Sequence, residues 1–133
     1  MSKKRILLVD DEPMVLRVLR LQLEKAGFSV ETAPNGRAAL DIIEQSPPDA
    51  LVTDIDMPQM SGEELCKHLY SQQSDPGFPI FVATSLTALR HREWSANLES
   101  LKFIEKPLSA KKLLAALKDY FESESQVDSE ETA

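Results

Sequence analysis

The alternation of short apolar runs with amphipathic segments constrains the fold of this chain more than any other sequence feature. Five short runs predict β-strands, at residues 5–10, 28–33, 50–54, 80–84 and 101–105. The first run, RILLVD, has consecutive rather than alternating apolar residues, which is typical of a strand buried on both faces. Segments with apolar residues at steps of three and four separate the runs and predict helices. Five strands alternating with five helices predict an α/β fold, a (βα)5 doubly wound parallel sheet.

Local signals place the starts and ends of the predicted helices. Four helices begin at residues that favour a helix start: Pro13, the pair Asn35-Gly36, the capping box at residues 61–64, and Ser109. Gly27 is typical of a helix end. The segment at residues 86–97 has a weaker helical pattern and is predicted as the remaining, fourth helix.

Composition limits the class of protein. The chain has 133 residues, of which 42% are hydrophobic and 28% are charged, as expected of one globular domain. No apolar stretch approaches the roughly 18 residues of a membrane span, and none is long enough for a signal peptide. Cys66, the single cysteine, cannot form an internal disulfide. We therefore expect a cytoplasmic protein with no membrane association.

The net charge of −7 is concentrated at the C-terminus. Residues 122–133 carry five acidic residues and no Lys or Arg, which leaves −2 for the rest of the chain. This segment is also poor in apolar residues, so we predict a folded domain at residues 1–122 and an acidic disordered tail at residues 123–133. Because the folded part has no broad basic field, we expect no direct nucleic acid binding.

Polar side chains follow four of the five predicted strands. Asp10 and Asp11 follow the first, Asp54 ends the third, Thr84 ends the fourth, and Lys106 comes just after the fifth. In the strand order 2-1-3-4-5 these four strands are neighbours, and the second strand is the edge. Their carboxyl ends then gather carboxylates, a hydroxyl and an ammonium in one cleft. Clustered carboxylate oxygens suit Mg²⁺, which leaves room for a phosphate.

Four motifs at these strand ends carry a family resemblance: LLVDDEP, LVTDIDMPQMSG, FVATS and FIEKP. On these motifs, residues 4–122 resemble the CheY-like receiver domain of bacterial response regulators, which has a flavodoxin-like fold. The resemblance implies a phosphoprotein of two-component or phosphorelay signal transduction, with the receiver domain at residues 1–122. The chain departs from the family at Glu99-Ser100, where a Gly-Ala pair commonly precedes the fifth strand.

The resemblance implies a role for each residue of the cleft. Asp54 would be the phosphoacceptor and would become a 4-aspartylphosphate. Thr84 would bond a phosphoryl oxygen, and Lys106 would pair with Asp54 or with its phosphoryl group. Phe103 falls at the aromatic switch position of the family. Phosphorylation would draw Thr84 inward, and Phe103 would move into the space behind it.

The resemblance also implies a Mg²⁺ site. Asp10 and Asp11 would hold the ion together with Asp54, and the backbone carbonyl of Asp56 would complete the protein ligands. A domain of this kind is not an enzyme, apart from transferring a phosphoryl group to itself and hydrolysing its own phosphoaspartate.

The partners implied by the resemblance are a histidine kinase or a histidine phosphotransfer protein, and a downstream protein target. The surface formed by the fourth helix, the fifth strand and the fifth helix would change shape on phosphorylation. Candidate contact residues there are Arg90, His91, Trp94, Lys111, Lys112 and Tyr120. Such a domain would act as a monomer or as a phosphorylation-dependent dimer.

The residues leave two alternatives. A haloacid dehalogenase-like phosphatase would use Asp54 and Asp56 of VTDIDMP as its Asp-x-Asp pair. Those enzymes usually have Thr where this chain has Pro58, and their pair ends the first strand rather than the third. The other alternative is a pseudo-receiver, a module that binds partners without phosphorylation. The complete set of site residues argues against it.

Overall fold

The computed structural model describes residues 3–55, 57, 59–72, 76–84, 101–106 and 108–132. The described strands are β1 Arg5–Val9, β2 Ser29–Ala33, β3 Ala50–Asp54, β4 Ile80–Thr84 and β5 Leu101–Glu105. The described helices are α1 Pro13–Lys25, α2 Gly36–Gln45, α3 Gly62–Gln72 and a C-terminal helix, Ala110–Thr132. The predicted helix at 86–97 and the pair Glu99-Ser100 lie outside the described residues.

The five strands form one parallel sheet in the order β2-β1-β3-β4-β5, as the sequence predicts. The register aligns the carboxyl ends of neighbouring strands: Val9 is opposite Thr53, Asp54 is opposite Ala83, and Thr84 is opposite Glu105. Every functional strand end predicted from the sequence therefore lies along one edge of the sheet.

Burial along the strands explains the apolar runs of the sequence. All residues of β3 and β4 are buried, because helices cover both faces of these central strands. Along β2, the edge strand next to β1, Val30 and Ala33 are buried, and the other three residues are more exposed.

Two separate hydrophobic cores lie on the two faces of the sheet. The first, here called the α2–α3 core, contains Leu51 and Val82 together with apolar residues of α2 and α3. The second, the α1–C-terminal core, contains Val52 and Phe81 with residues of α1 and the C-terminal helix. Since neighbouring strand residues face opposite sides, each strand contributes to both cores.

Hydrogen bonds confirm three of the four predicted helix starts, and α1 begins at Pro13 as predicted. Three side chains cap a helix: Ala38 N–H donates to Asn35 Oδ1 (2.9 Å), Glu64 N–H to Ser61 Oγ (3.1 Å) and Lys112 N–H to Ser109 Oγ (3.1 Å). Ser61 N–H donates in return to Glu64 Oε1 at 3.2 Å, which completes the capping box.

Beyond the end of α1, Gly27 has the positive φ of 101° that glycine adopts without strain.

The division into a folded domain at residues 1–122 and an acidic disordered tail at residues 123–133 stays a prediction. The backbone of the C-terminal helix continues to Thr132 over 23 residues. This helix contains neither Pro nor Gly, and its first half is anchored by the buried Leu113 and Leu117. Once such an anchor has nucleated a helix, each further residue adds one backbone hydrogen bond, so the acidic residues continue the helix. Among the described residues, none of the helices combines the length and apolar character needed to cross a bilayer.

Candidate functional site

Asp54 and Lys106 meet at the carboxyl edge of the sheet. Asp54 is the last residue of β3 and is only 5% exposed. Lys106 follows β5, and its Nζ reaches across the end of β4 to lie 2.7 Å from Asp54 Oδ1. The Lys106 side chain is 31% exposed, so the ion pair has a buried acidic member and a partly solvated basic one.

Thr84 lies between these two residues at the end of β4. It is 4% exposed, and its carbonyl accepts the Lys106 backbone N–H at 2.9 Å. Lys106 is thus attached to β4 through its amide and to β3 through its ammonium. The sequence-based expectation that Asp54, Thr84 and Lys106 lie together agrees with these distances.

Three carboxylates gather just beyond β1. Asp10, Asp11 and Glu12 each offer an oxygen, and these atoms all lie within 4.8 Å of one another. Asp10 is half-buried, whereas Asp11 and Glu12 are exposed. Asp10 Oδ1 also accepts the Glu12 backbone N–H at 2.9 Å, which holds the turn into α1. Glu12 has no role in the site predicted from the sequence, although it belongs to the run Asp-Asp-Glu.

The cleft disfavours the charged form of Asp10. Burial is the main cause that raises the pKa of Asp10 above its ordinary value, and the nearby charges of Asp54 and Glu12 raise it further. The Glu12 backbone N–H and the Lys106 ammonium act in the opposite direction and lower the pKa. The group of carboxylates is thus under repulsion that a bound cation would relieve.

This donor set fits a hard divalent cation. The Asp10 and Asp11 carboxylates offer oxygens of the kind that Mg²⁺ binds, and the exposure of Asp11 leaves room for the waters this ion retains. Asp54 is outside this group of three carboxylates, but its charge acts on Asp10. The fourth predicted ligand, the backbone carbonyl of Asp56, lies outside the described residues.

The backbone around Asp54 is fixed by contacts that sequence reasoning missed. Thr53 Oγ1 donates to the Asp54 carbonyl at 2.9 Å, and Gly62 N–H donates to the Ile55 carbonyl at 2.9 Å. A Cβ atom on Gly62 would lie 2.3 Å from the Asp54 carbonyl oxygen, so glycine is needed for this close approach. In the sequence, Gly62 is marked only as part of a predicted helix start.

Phe103, the predicted switch residue, is half-buried in β5 opposite Val82. It packs against the α2–α3 core. Because side chains alternate along a strand, Thr84 points to the same face of the sheet as Val82 and Phe103. The two predicted switch residues therefore share a face, in adjacent strands.

The predicted partner face is described only in part. Lys111 and Lys112 are exposed in the first turns of the C-terminal helix, and Lys112 Nζ lies 3.5 Å from the Glu105 carbonyl oxygen. Tyr120 is half-buried, with its ring packed edge-on against Phe81 at a centroid distance of 6.4 Å. Tyr120 therefore contributes to the core as well as to the surface. The other candidates, Arg90, His91 and Trp94, lie outside the described residues.

A flavodoxin-like parallel sheet with an Asp–Lys pair and an acidic group at its carboxyl edge defines a class of phosphate-handling signalling domain. The chain belongs to the response regulator receiver domain family, whose model matches residues 6–118. Domains of this family are in general signalling modules rather than enzymes, and phosphorylation and Mg²⁺ binding are general features of the family. The match argues against a haloacid dehalogenase-like phosphatase.

Among proteins of known sequence, the chain is similar to the response regulator MprA of Mycolicibacterium vanbaalenii, with 39% identity over 114 residues. The alignment covers 86% of this chain and 48% of that protein. A second MprA, from Mycobacterium avium, is also 39% identical over 114 residues. The chain thus spans about half the length of the curated relatives it matches.

Solved structures agree with this assignment. The chemotaxis response regulator CheY4 of Vibrio cholerae superposes with a TM-score of 0.79 at 28% identity, covering 89% of this chain and 98% of that one. A CheY-like receiver domain protein from Methanospirillum hungatei superposes with a TM-score of 0.83 at 30% identity, covering 94% and 98% of the two chains.

Proposed function

We propose that this chain is a phosphorylation-activated receiver that accepts a phosphoryl group on Asp54 from a histidine kinase or a histidine phosphotransfer protein. Response regulators interact with histidine kinases, so the class of donor follows from the family. The observation that carries the assignment to Asp54 is its 2.7 Å contact with Lys106 at a buried strand end.

The chemistry is a transfer between two side chains. An Asp54 carboxylate oxygen attacks the phosphorus of a phosphohistidine, the N–P bond breaks with its electron pair going to the imidazole, and an acyl phosphate forms. Lys106 supplies positive charge where the phosphoryl oxygens gain negative charge, and the low exposure of the site strengthens that attraction. Thr84, at the neighbouring strand end, donates a hydrogen bond from its hydroxyl group to a phosphoryl oxygen.

Asp10 and Asp11 would hold Mg²⁺ together with Asp54, and the Asp56 carbonyl would complete the set. When bound, the ion supplies charge that neutralises the phosphoryl oxygens during transfer. Hydrolysis of the acyl phosphate by water would reset Asp54, so the domain acts only on itself.

Phosphorylation would switch the domain through Thr84 and Phe103. Thr84 moves toward the phosphoryl group, and Phe103 fills the space behind it, which reshapes the surface around β5 and the start of the C-terminal helix. A downstream protein would read this change, at residues that include Lys111 and Lys112. The proposal also includes the cytoplasmic location, the absence of direct nucleic acid binding by this domain, and a monomer or a phosphorylation-dependent dimer.

Asp54→Asn tests the assignment. Incubated with acetyl phosphate and Mg²⁺, the wild-type chain should gain the mass of one phosphoryl group, and Asp54→Asn should gain none. Asp41→Asn, which changes an exposed acid of α2, is the matched control and should label as wild type does. Mg²⁺-dependent labelling that persists in Asp54→Asn would place the acceptor elsewhere, with Asp56 the first residue to test. No labelling of the wild type would favour the pseudo-receiver.

A further inference from the structure

Gly36 and Met60 form a close contact between α2 and the loop that follows Asp54. Gly36 is the first residue of α2 and is buried, and its N–H donates to the Met60 carbonyl at 3.2 Å. A Cβ atom on residue 36 would lie 2.8 Å from Cγ and from the carbonyl oxygen of Met60, and 2.9 Å from Met60 Cβ. Any side chain at position 36 would therefore displace Met60.

Space, rather than backbone conformation, accounts for the glycine at position 36. The glycines with positive φ are Gly27 and Gly77, and Gly36 is not among them. Within a helix, glycine is less favourable than alanine, since its unfolded backbone has more freedom to lose. At the first position of α2, glycine allows the contact with Met60 that any side chain would prevent.

A second glycine, Gly62, follows Met60 by two residues and contacts the end of β3. Gly62 N–H bonds the Ile55 carbonyl, and Gly62 lies against the carbonyl oxygen of Asp54, as described above. Met60 also packs against the α2–α3 core. Met60 thus contacts the start of α2, and Gly62 contacts the end of β3.

We propose that Gly36 is a positioning residue for phosphoryl transfer at Asp54, acting through Met60. This inference rests on the proposed function, because it takes Asp54 as the phosphoacceptor. The start of α2 contacts Met60, which lies between Asp54 and α3. This contact fixes the position of Met60 and, through the chain, the orientation of Asp54. A displacement of about 1 Å in a reacting group can lower a rate by up to about a hundredfold, so this contact can control the transfer rate.

Gly36→Ala tests the proposal, with Gly77→Ala as the matched control. Residue 77 has open space around its missing Cβ but a φ of 92°, so alanine there strains the backbone before β4, at the opposite end of the sheet from Asp54. Both variants are phosphorylated with acetyl phosphate at saturating Mg²⁺, at temperatures equally far below the Tm of each. We expect Gly36→Ala to lower the maximal rate by more than about threefold and Gly77→Ala to change it by less than that.

A loss smaller than about threefold in Gly36→Ala, or an equal loss in both variants, would overturn the role of Gly36. If Gly36→Ala does not fold, Met60→Ala removes the side chain that lies over Gly36 without creating a clash. A rate loss beyond about twofold in that variant supports the proposal, and a smaller one overturns it.

Asp54→Asn separates the two proposals. If it takes up no phosphoryl group while Gly36→Ala reacts at the wild-type rate, the proposed function stands and only the role of Gly36 is lost. If Asp54→Asn still takes up the group, the proposed function itself is lost.

Discussion

Charged side chains are arranged differently at the amino and carboxyl ends of the sheet. At the amino end, the Arg5 guanidinium contacts the Glu31 carboxylate and donates to Ser46 Oγ at 2.7 Å and to the Pro47 carbonyl at 3.0 Å. The backbone N–H of Arg5 donates to Asp49 Oδ2 at 2.7 Å. This one residue thus joins β1 to β2 and to the segment between α2 and β3.

At the carboxyl end, acidic groups outnumber the described basic partner. Asp10, Asp11 and Glu12 lie within 4.8 Å of one another, and the ion pair described there joins Lys106 to Asp54. The charges of Arg5 and Glu31 are paired within the chain, whereas the carboxylates beyond β1 exceed the basic group described beside them, an arrangement that suits a bound cation. The contrast indicates which end of the sheet is structural and which is functional.

Asp10→Asn, at the carboxyl end, should have the largest effect. It should weaken Mg²⁺ binding by at least about tenfold, which is the scale on which metal affinity responds to the loss of even an outer partner. In Mg²⁺-free buffer it should raise the free energy of unfolding by about 0.5 to 1 kcal/mol, because one member of a repelling group loses its charge. Asn keeps the oxygen that accepts the Glu12 N–H. Calorimetric titration and urea unfolding measure the two effects.

Asp41→Asn is again the control for this variant, since it removes an exposed acid from α2. A lower free energy of unfolding for Asp10→Asn without Mg²⁺ would show that repulsion does not strain the cleft.

Arg5→Ala, at the amino end, should have the opposite effect on stability. It removes an ion pair and hydrogen bonds to Ser46 and Pro47, so the free energy of unfolding should fall by about 1 to 2 kcal/mol. Mg²⁺ affinity should stay at the wild-type value. Arg17→Ala, which removes an exposed arginine from α1, should change stability by less than about 0.5 kcal/mol. A Mg²⁺ affinity that falls in Arg5→Ala would mean that the two ends are coupled.

The pH dependence of stability should give the smallest effect. The raised pKa of Asp10 means that the folded protein binds this proton more tightly than the unfolded chain does. The free energy of unfolding should therefore fall as the pH rises from 3.8 through the raised pKa, and the ionised form is the less stable one. Without Mg²⁺, the stability of the wild type relative to Asp10→Asn should fall through this window. Arg5→Ala, altered at the other end, should follow the wild-type slope, and equal slopes for wild type and Asp10→Asn would contradict the expectation.

The sequence predicted the sheet well because its signals are local. Consecutive apolar residues mark β1, and the capping box at Ser61 and Glu64 marks the start of α3 by chemistry that lies within four residues. The cleft was predicted by one further step, since the ends of parallel strands must meet at one edge. Asp54 and Lys106 are far apart in sequence, but each directly marks a strand end.

The contacts that the sequence did not predict join residues with no local signal of their partner. The pair Asn35-Gly36 predicts a helix start whether or not Met60 contacts it. Arg5 is one of several basic residues before a predicted strand, and nothing in the sequence indicates its partners.

The division of the interior into two cores has a mechanical consequence. Phe103 packs into the α2–α3 core and is paired with Val82 of β4. Phe81, the residue before Val82, packs with Tyr120 in the α1–C-terminal core. A rotation of Phe103 would therefore loosen only one half of the molecule. The α1–C-terminal core would keep its packing. A movement of Phe103 would then change the surface near β5 rather than the packing on the other face of the sheet.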